Sequence, residues 1–173
     1  MQAAIRSVAE AMPPRRTLPA VLLALATLMP PGPARAQPAA DAGLVTRPSA
    51  HATAATLQRF TAAVRAEGWV VFTEIDHAAA ATAAGLTLRP RTVVLFGNPR
   101  AGTAAMAAHP TLAIDLPMRV LVWEDDQGRA FVTRSTGADI SARVFARHGI
   151  PLPPPAQQGT DSFIEALVRK ATE

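Results

Sequence analysis

The sequence contains no cysteine and no tyrosine, and its only lysine is Lys170. Without thiols there is no cysteine-ligated zinc, no thiol nucleophile, no iron–sulfur cluster and no covalently attached c-type haem. Disulfides are excluded as well, so the fold must rest on burial, which a core of about 100 residues can supply. Excess charge is missing where it would matter. The formal charge is +4, but Arg6, Arg15, Arg16 and Arg35 all precede residue 37, against Glu10 alone, and the rest of the chain holds 13 basic and 12 acidic residues. Such a near-neutral remainder lacks the electrostatic footprint that phosphate backbones require, and no nucleic-acid partner is expected. The rarity of lysine among the basic residues points to GC-rich coding rather than to chemistry. There is no G-x-S-x-G elbow, no H-x-x-x-H pair, no internal repeat and no apolar run of the about 20 residues that a membrane span takes.

What is present begins with an export signal over residues 1–36. Arg15 and Arg16 form the positive flank and Leu18 to Met29 the apolar stretch. Pro30, Pro31 and Pro33 then stop any helix, and Ala34-Arg35-Ala36 offers small residues where a signal peptidase reads. Cleavage is expected between Ala36 and Gln37, placing the protein in the periplasm or outside the cell. The apolar stretch is too short for a stable membrane anchor. Arg15-Arg16-Thr17-Leu18 leaves twin-arginine export open beside the general route.

Prolines crowd both ends, and the large apolar residues lie between about Leu44 and Ile150. The expected organisation is a disordered leader over 37–43, a domain over 44–150, a proline-rich linker over 151–159 and an amphipathic helix over 160–173. Within the domain, Leu44 to Thr46 reads as a short strand. Ser49 is a plausible cap for a helix carrying Leu57, Phe60 and Val64, closed by Gly68. Further strands are expected over Trp69 to Ile75, Thr92 to Phe96, Met118 to Trp123 and Arg129 to Thr133, the last two joined by a hairpin at Glu124 to Gly128. Short helices are expected over His77 to Ala84, Gly102 to Ala108 and Ala138 to Arg147. Phe72, Phe96, Leu121 and Trp123 are expected in the core. Phe163, Ile164, Leu167 and Val168 give the last helix an apolar stripe that suits docking on its own domain. Helices interspersed with strands, plus a tight hairpin, predict a single α+β domain with a mostly antiparallel sheet and helices packed on it.

Few stretches could carry chemistry. Gly97-Asn98-Pro99-Arg100-Ala101-Gly102-Thr103 has the glycine spacing of a phosphate loop, but Thr103 and Ala104 stand where Lys and Ser/Thr are needed. A tight turn is the plainer reading, and weak anion binding with Arg100 the sharper one. In Glu74-Ile75-Asp76-His77, His77 is the side chain best suited to acid–base work, unless Asp76 merely caps and His77 bonds nearby backbone. Asp115, flanked by apolar residues, is either exposed at a turn or buried with a partner. Arg143 and Arg147 read as a solvated helix face. His51, His77, His109 and His148 lack ligand spacing, so no metal site is expected and no cofactor is implied.

Taken together, several segments resemble the family called domain of unknown function 302. They are Thr56 and Arg59, Gly68, Ile75-Asp76-His77, Ala81, Gly85-Leu86, Arg89-Pro90, Phe96-Gly97-Asn98-Pro99, Ala101-Gly102-Thr103 and Met106. Downstream lie Asp115-Leu116-Pro117, Val120 to Asp125, Gly128 and Arg147-His148-Gly149. The chain departs from the family where a Tyr often stands, at Arg134 or Ser135. The resemblance implies a compact, often exported α+β domain and assigns no reaction, substrate or cofactor. It carries His77, Asn98 and Asp115 over as residues to test. Three readings of function stay open. One is an exported binding or accessory module holding a small molecule or a protein partner near His77, Asn98, Asp115 and Arg100. Another is an enzyme with His77 as general acid or base and Asp115 or Glu74 as its carboxylate. The third is a homodimerising structural or stress protein. The first reading expects His77, Asn98 and Asp115 to converge on one cavity.

Overall fold

The computed structural model describes residues 43–173. The expected signal peptide, and the leader up to residue 42, lie outside the described residues. Five strands form one antiparallel sheet: β1 (Leu44–Pro48), β2 (Val70–Asp76), β3 (Arg91–Gly97), β4 (Met118–Glu124) and β5 (Ala130–Ser135), in the order β1-β5-β4-β3-β2. Five helices join them: α1 (Thr53–Ala66), α2 (His77–Ala83), α3 (Pro99–Ala108), α4 (Gly137–Ile140) and α5 (Pro154–Thr172). The α+β class and the antiparallel sheet are as expected.

Strand alternation decides the core. Val94 and Phe96 on β3, Val120 and Val122 on β4, and Ala130 and Val132 on β5 face one side and are buried. Against them lie Phe60, Ala63 and Val64 of α1 and Ile164, Leu167, Val168 and Ala171 of α5. Phe60 meets Phe96 edge-on at 5.4 Å between ring centroids. The stripe on the last helix therefore docks on its own domain. Leu121 and Trp123, expected in the core, belong to the opposite face because Val120 and Val122 take the inward positions, and both are only half-buried. There Trp123 stacks on Phe131 at 4.8 Å, and its indole N–H donates to Thr133 Oγ1 at 2.9 Å.

Some expected elements shift. β2 is an edge strand and largely exposed, not a buried one, and Phe72 is 53% exposed. Ser49 does not cap α1. Its hydroxyl bonds Thr56 Oγ1 at 2.7 Å and accepts from the His51 N–H, so the helix starts later, at Thr53. Gly68, with φ +74°, ends α1 as expected. α3 begins at Pro99 rather than Gly102, since Asn98 Oδ1 accepts from the N–H groups of Arg100 and Ala101 and Pro99 needs no donor in the first turn. The helix expected over Ala138 to Arg147 is α4, then a π-helical turn at Ser141–Phe145, then a 3-10 turn at Ala146–His148. The proline-rich stretch is no linker beyond Pro153. Pro154 and Pro155 occupy the opening turn of α5, where proline costs no hydrogen bond, and the helix runs on through residues 156–159. Gly137 lets α4 and α5 touch: a Cβ there would overlap the Gln157 carbonyl oxygen.

Two ionic clusters complete the frame. Arg134, only 8% exposed, donates to Asp161 Oδ1 at 2.6 Å and Glu165 Oε2 at 3.3 Å, joining β5 to α5, and Arg47 of β1 also pairs with Glu165. In the hairpin, burial pushes the Asp125 carboxyl up. The Arg129 side chain and the N–H groups of Arg129 and Gln127 outweigh it and hold the carboxyl below the usual carboxylate range.

Candidate functional site

β3 ends at Gly97, and three loops gather around that end of the sheet. Asn98 opens α3, Leu116-Pro117 leads into β4 with a cis peptide bond, and the π-helical turn brings Phe145 alongside. Between them is a cavity of about 480 Å³ lined by Trp69, Phe72, Gly97 to Pro99, Ala101, Gly102, Ala105, Met106, Leu116 to Met118 and Phe145. The sequence makes it apolar and open by local rules. Ala101, Gly102, Ala105 and Met106 fall four apart in pairs, on one face of α3, and three of the four are small. Gly102 lies inside a helix, where alanine would be favoured by about 1 kcal/mol. A Cβ there would meet only Met106 Cε at 3.8 Å, so packing does not require the glycine. Trp69 is fixed as a wall by stacking on Phe163 of α5 at 4.3 Å.

Phe72 reaches the cavity through a bulge. Val71 pairs with Phe96 and Thr73 with Leu95, so Phe72 is the extra residue on β2, and its ring comes beside Gly97. Any side chain at 97 would press on that ring.

A second cavity, of about 450 Å³, shares Leu116, Pro117, Met118 and Phe145 with the first. It adds Leu44, Asp115, Arg119, Ser135, Asp139, Ile140, Arg143 and Val144. It is the more polar of the two, with four charged side chains in a lining that is otherwise mainly apolar. Asp115 is 15% exposed and doubly held, accepting from Arg147 Nη1 at 3.3 Å and lying 2.7 Å from His148 Nε2. An ionised carboxylate only accepts, so Nε2–H donates to Asp115, and in the neutral ring Nδ1 accepts from Thr111 Oγ1 at 2.9 Å. Asp139 pairs with Arg143. Arg119 has no ion-pair partner among the described residues.

The expected convergence of three residues fails in part. Asn98 and Asp115 do come to the same end of the sheet, on the two sides of the shared wall. His77 does not. It follows Asp76, which pairs with Thr92 near the start of β3, whereas Asn98 follows Gly97 at its end. Five residue steps of about 3.3 Å separate those positions, roughly 17 Å. Antiparallel pairing explains the error: the loop after β2 and the loop after β3 leave opposite ends of the sheet. His77 is exposed and Asp76 caps α2 through Ala78 and Ala79, so this motif serves a helix start. Arg100 is exposed at the first turn of α3 and lines neither cavity. Arg143 and Arg147 are exposed but not merely solvated, since each holds an aspartate. Sequence reasoning missed Phe72, Gly102, Arg119 and His148. Signals existed for His148 and Gly102, whose Arg-His-Gly and Ala-Gly-Thr segments belong to the family pattern, and none for the site roles of Phe72 and Arg119.

The arrangement defines a class: a sheet backed by two helices on one face, with two adjoining cavities among the loops at one end. The family model described as "Domain of unknown function DUF302" matches residues 45–167, and the chain belongs to that family. The match runs into α5, which is thus part of the domain. A protein of Brucella suis biovar 1 (strain 1330) named "Fluoride-specific ion channel FluC 1" is 43% identical over 103 residues, which is 60% of this chain and 41% of that protein. Its namesake in Brucella abortus biovar 1 (strain 9-941) is 43% identical over 103 residues, 38% of its length. The chain therefore spans well under half the length of these curated relatives. The crystal structure of an uncharacterized conserved DUF302 protein from Bacillus stearothermophilus superposes with a TM-score of 0.57 at 14% identity, covering 76% of this chain and 96% of that one. That likeness concerns the fold. Among the described residues no helix is long and apolar enough to cross a membrane.

Proposed function

We propose that the protein is an exported binding module that holds a small, largely apolar molecule in the cavity between β2, α3 and the Leu116-Pro117 turn. The observation that carries this is the cavity itself, about 480 Å³ and walled almost wholly by apolar side chains. Ligand pockets span about 300–1,000 Å³ and pair such walls with a few polar groups. Asn98 is the polar side chain at its rim. Its Oδ1 is spent on capping α3, which leaves the amide N–H groups to face a ligand acceptor. That relatives carry the segment as roughly two-fifths of a longer chain supports an accessory role, a module joined to a protein with another task. The export half of the reading rests on residues 1–36.

Native mass spectrometry of the protein purified from its host periplasm tests both halves at once. The expected protein mass starts at Gln37, accompanied by a bound small molecule that is lost when Gly102→Leu fills the cavity. A chain retained from Met1 in the membrane pellet overturns export, and a ligand-free protein that also takes up no hydrophobic probe overturns binding.

A second reading has one observation behind it. Thr111, His148 and Asp115 form a continuous hydrogen-bonded line, the order of hydroxyl, imidazole and carboxylate that activates a nucleophile. In this reading His148, and not His77, is the base. Turnover of a p-nitrophenyl ester that is lost in Thr111→Val, with the fold intact, supports it. No turnover above buffer leaves the line as a tie between the Thr111 turn, Asp115 and the 3-10 turn at Ala146–His148.

A further inference from the structure

The two chambers differ in chemistry and share a wall, and we infer that the ligand is an anionic amphiphile, a single-chain carboxylate of the fatty-acid kind. This rests on the binding function proposed above and names its ligand. The first chamber offers apolar walls and only an amide at its rim. The second, which borders the first at Leu116, Pro117, Met118 and Phe145, is lined by four charged side chains. Three of them are committed: Asp115 to Arg147 and His148, and Asp139 to Arg143. Arg119 alone remains without an ionic partner among the described residues, so the net charge on offer is positive. A guanidinium suits a carboxylate because its planar fork can donate two parallel hydrogen bonds.

The tail needs room, and the helix supplies it. Ala101, Gly102 and Ala105 put little side-chain volume on the cavity side of α3, and Gly97 adds none beside the Phe72 ring. Apolar burial gains about 0.8 kcal/mol per methylene, which is about a fourfold gain in affinity. Affinity should therefore climb about fourfold per added carbon along a fatty-acid series and level off once the chamber is full.

The test titrates the purified protein by calorimetry with decanoate, decanol and decyltrimethylammonium below their micelle concentrations. Decanoate is expected to bind about tenfold or more tighter than decanol, with the cation weakest. Arg119→Glu should abolish the preference for the carboxylate while decanol binding stays, and Arg119→Lys should restore part of it. Gly102→Leu should weaken all three, with a thermal midpoint no lower than wild type showing that the fold is kept. Equal binding of decanoate and decanol, or a preference that survives Arg119→Glu, overturns the anionic head group and leaves the apolar pocket standing. Failure of all three to bind, or binding unaffected by Gly102→Leu, overturns the pocket and this inference with it.

Discussion

Arg134→Met removes a cation that β5 buries against α5, and the cost can be worked out from its surroundings. The guanidinium is 8% exposed and donates to Asp161 at 2.6 Å, to Glu165 at 3.3 Å and to the Ser135 carbonyl at 3.2 Å. Breaking a fully buried ion pair costs about 3–5 kcal/mol, whereas an exposed pair is worth about 0–1. Here the acids keep partial contact with water, at 37% and 29% exposure, and can resolvate when the cation leaves. Arg47 also stays beside Glu165. An intermediate loss of about 2 kcal/mol is expected, near the range for hydrogen bonds to charged groups. Methionine retains the apolar stem, so little of the loss is packing. With a urea slope of about 2 kcal/mol/M, the unfolding midpoint should fall by about 1 M at pH 7. The loss should persist in 0.5 M salt, because buried charge is screened less than exposed charge. A cost below about 0.5 kcal/mol that vanishes with salt would falsify the reading of this cluster as the clamp on α5.

Three further outcomes are expected. Phe96→Ala deletes a ring with no exposure that packs edge-on against Phe60, and should cost about 3–5 kcal/mol in chemical denaturation. A loss under about 1 kcal/mol would place β3 wrongly. Gly137→Ala drives a Cβ into the Gln157 carbonyl, and overpacking of this kind costs about 1–3 kcal/mol, read as a lowered melting midpoint. An unchanged midpoint would mean that α4 and α5 are not in contact there. Asp125 has its folded carboxyl pKa depressed, so its contribution is complete above the unfolded value of about 3.9 and is lost as pH falls through the folded one. Wild type should therefore exceed Asp125→Asn in stability at pH 6, and the gap should narrow once pH falls below the unfolded value of about 3.9. A gap constant with pH would show that the Arg129 contact does not depend on the charge.

Strand existence was legible because the cues were local. Val120 and Val122 alternate with polar or half-buried neighbours, Gly128 marks the hairpin, and Gly68 closes α1. What could not be read was which face wins. Trp123 and Leu121 are larger than Val120 and Val122, and size alone favours them for the core. The decision belongs to α1 and α5, which cover one face of the sheet and leave the larger residues on the other. The start of α5 failed for a related reason. Proline breaks a helix interior but fits its first positions, so a proline run alone does not distinguish a linker from a helix start.

The site was harder, and its difficulty is physical. Asn98 and Asp115 could be singled out because each stands within two residues of a proline next to a strand, a local pattern. Their meeting place depends on strand order, which no local pattern fixes, and antiparallel pairing sends the His77 loop to the other end of the sheet. Phe72 enters the cavity only because β2 has one residue more than β3 needs between Val71 and Thr73, and a single inserted residue leaves no mark in composition or periodicity. Gly102 is the instructive case. A glycine inside a ten-residue helix works against the helix, and nothing in contact with it demands the missing methyl. Local preference favours alanine there and tertiary packing permits it, so the remaining beneficiary is the open space that Gly102 borders. If that space is where the molecule works, Gly102→Ala should stabilise the fold by about 0.5–1 kcal/mol and weaken ligand binding together. A stabilised variant that binds as well as wild type would remove the cavity from any account of what the protein does.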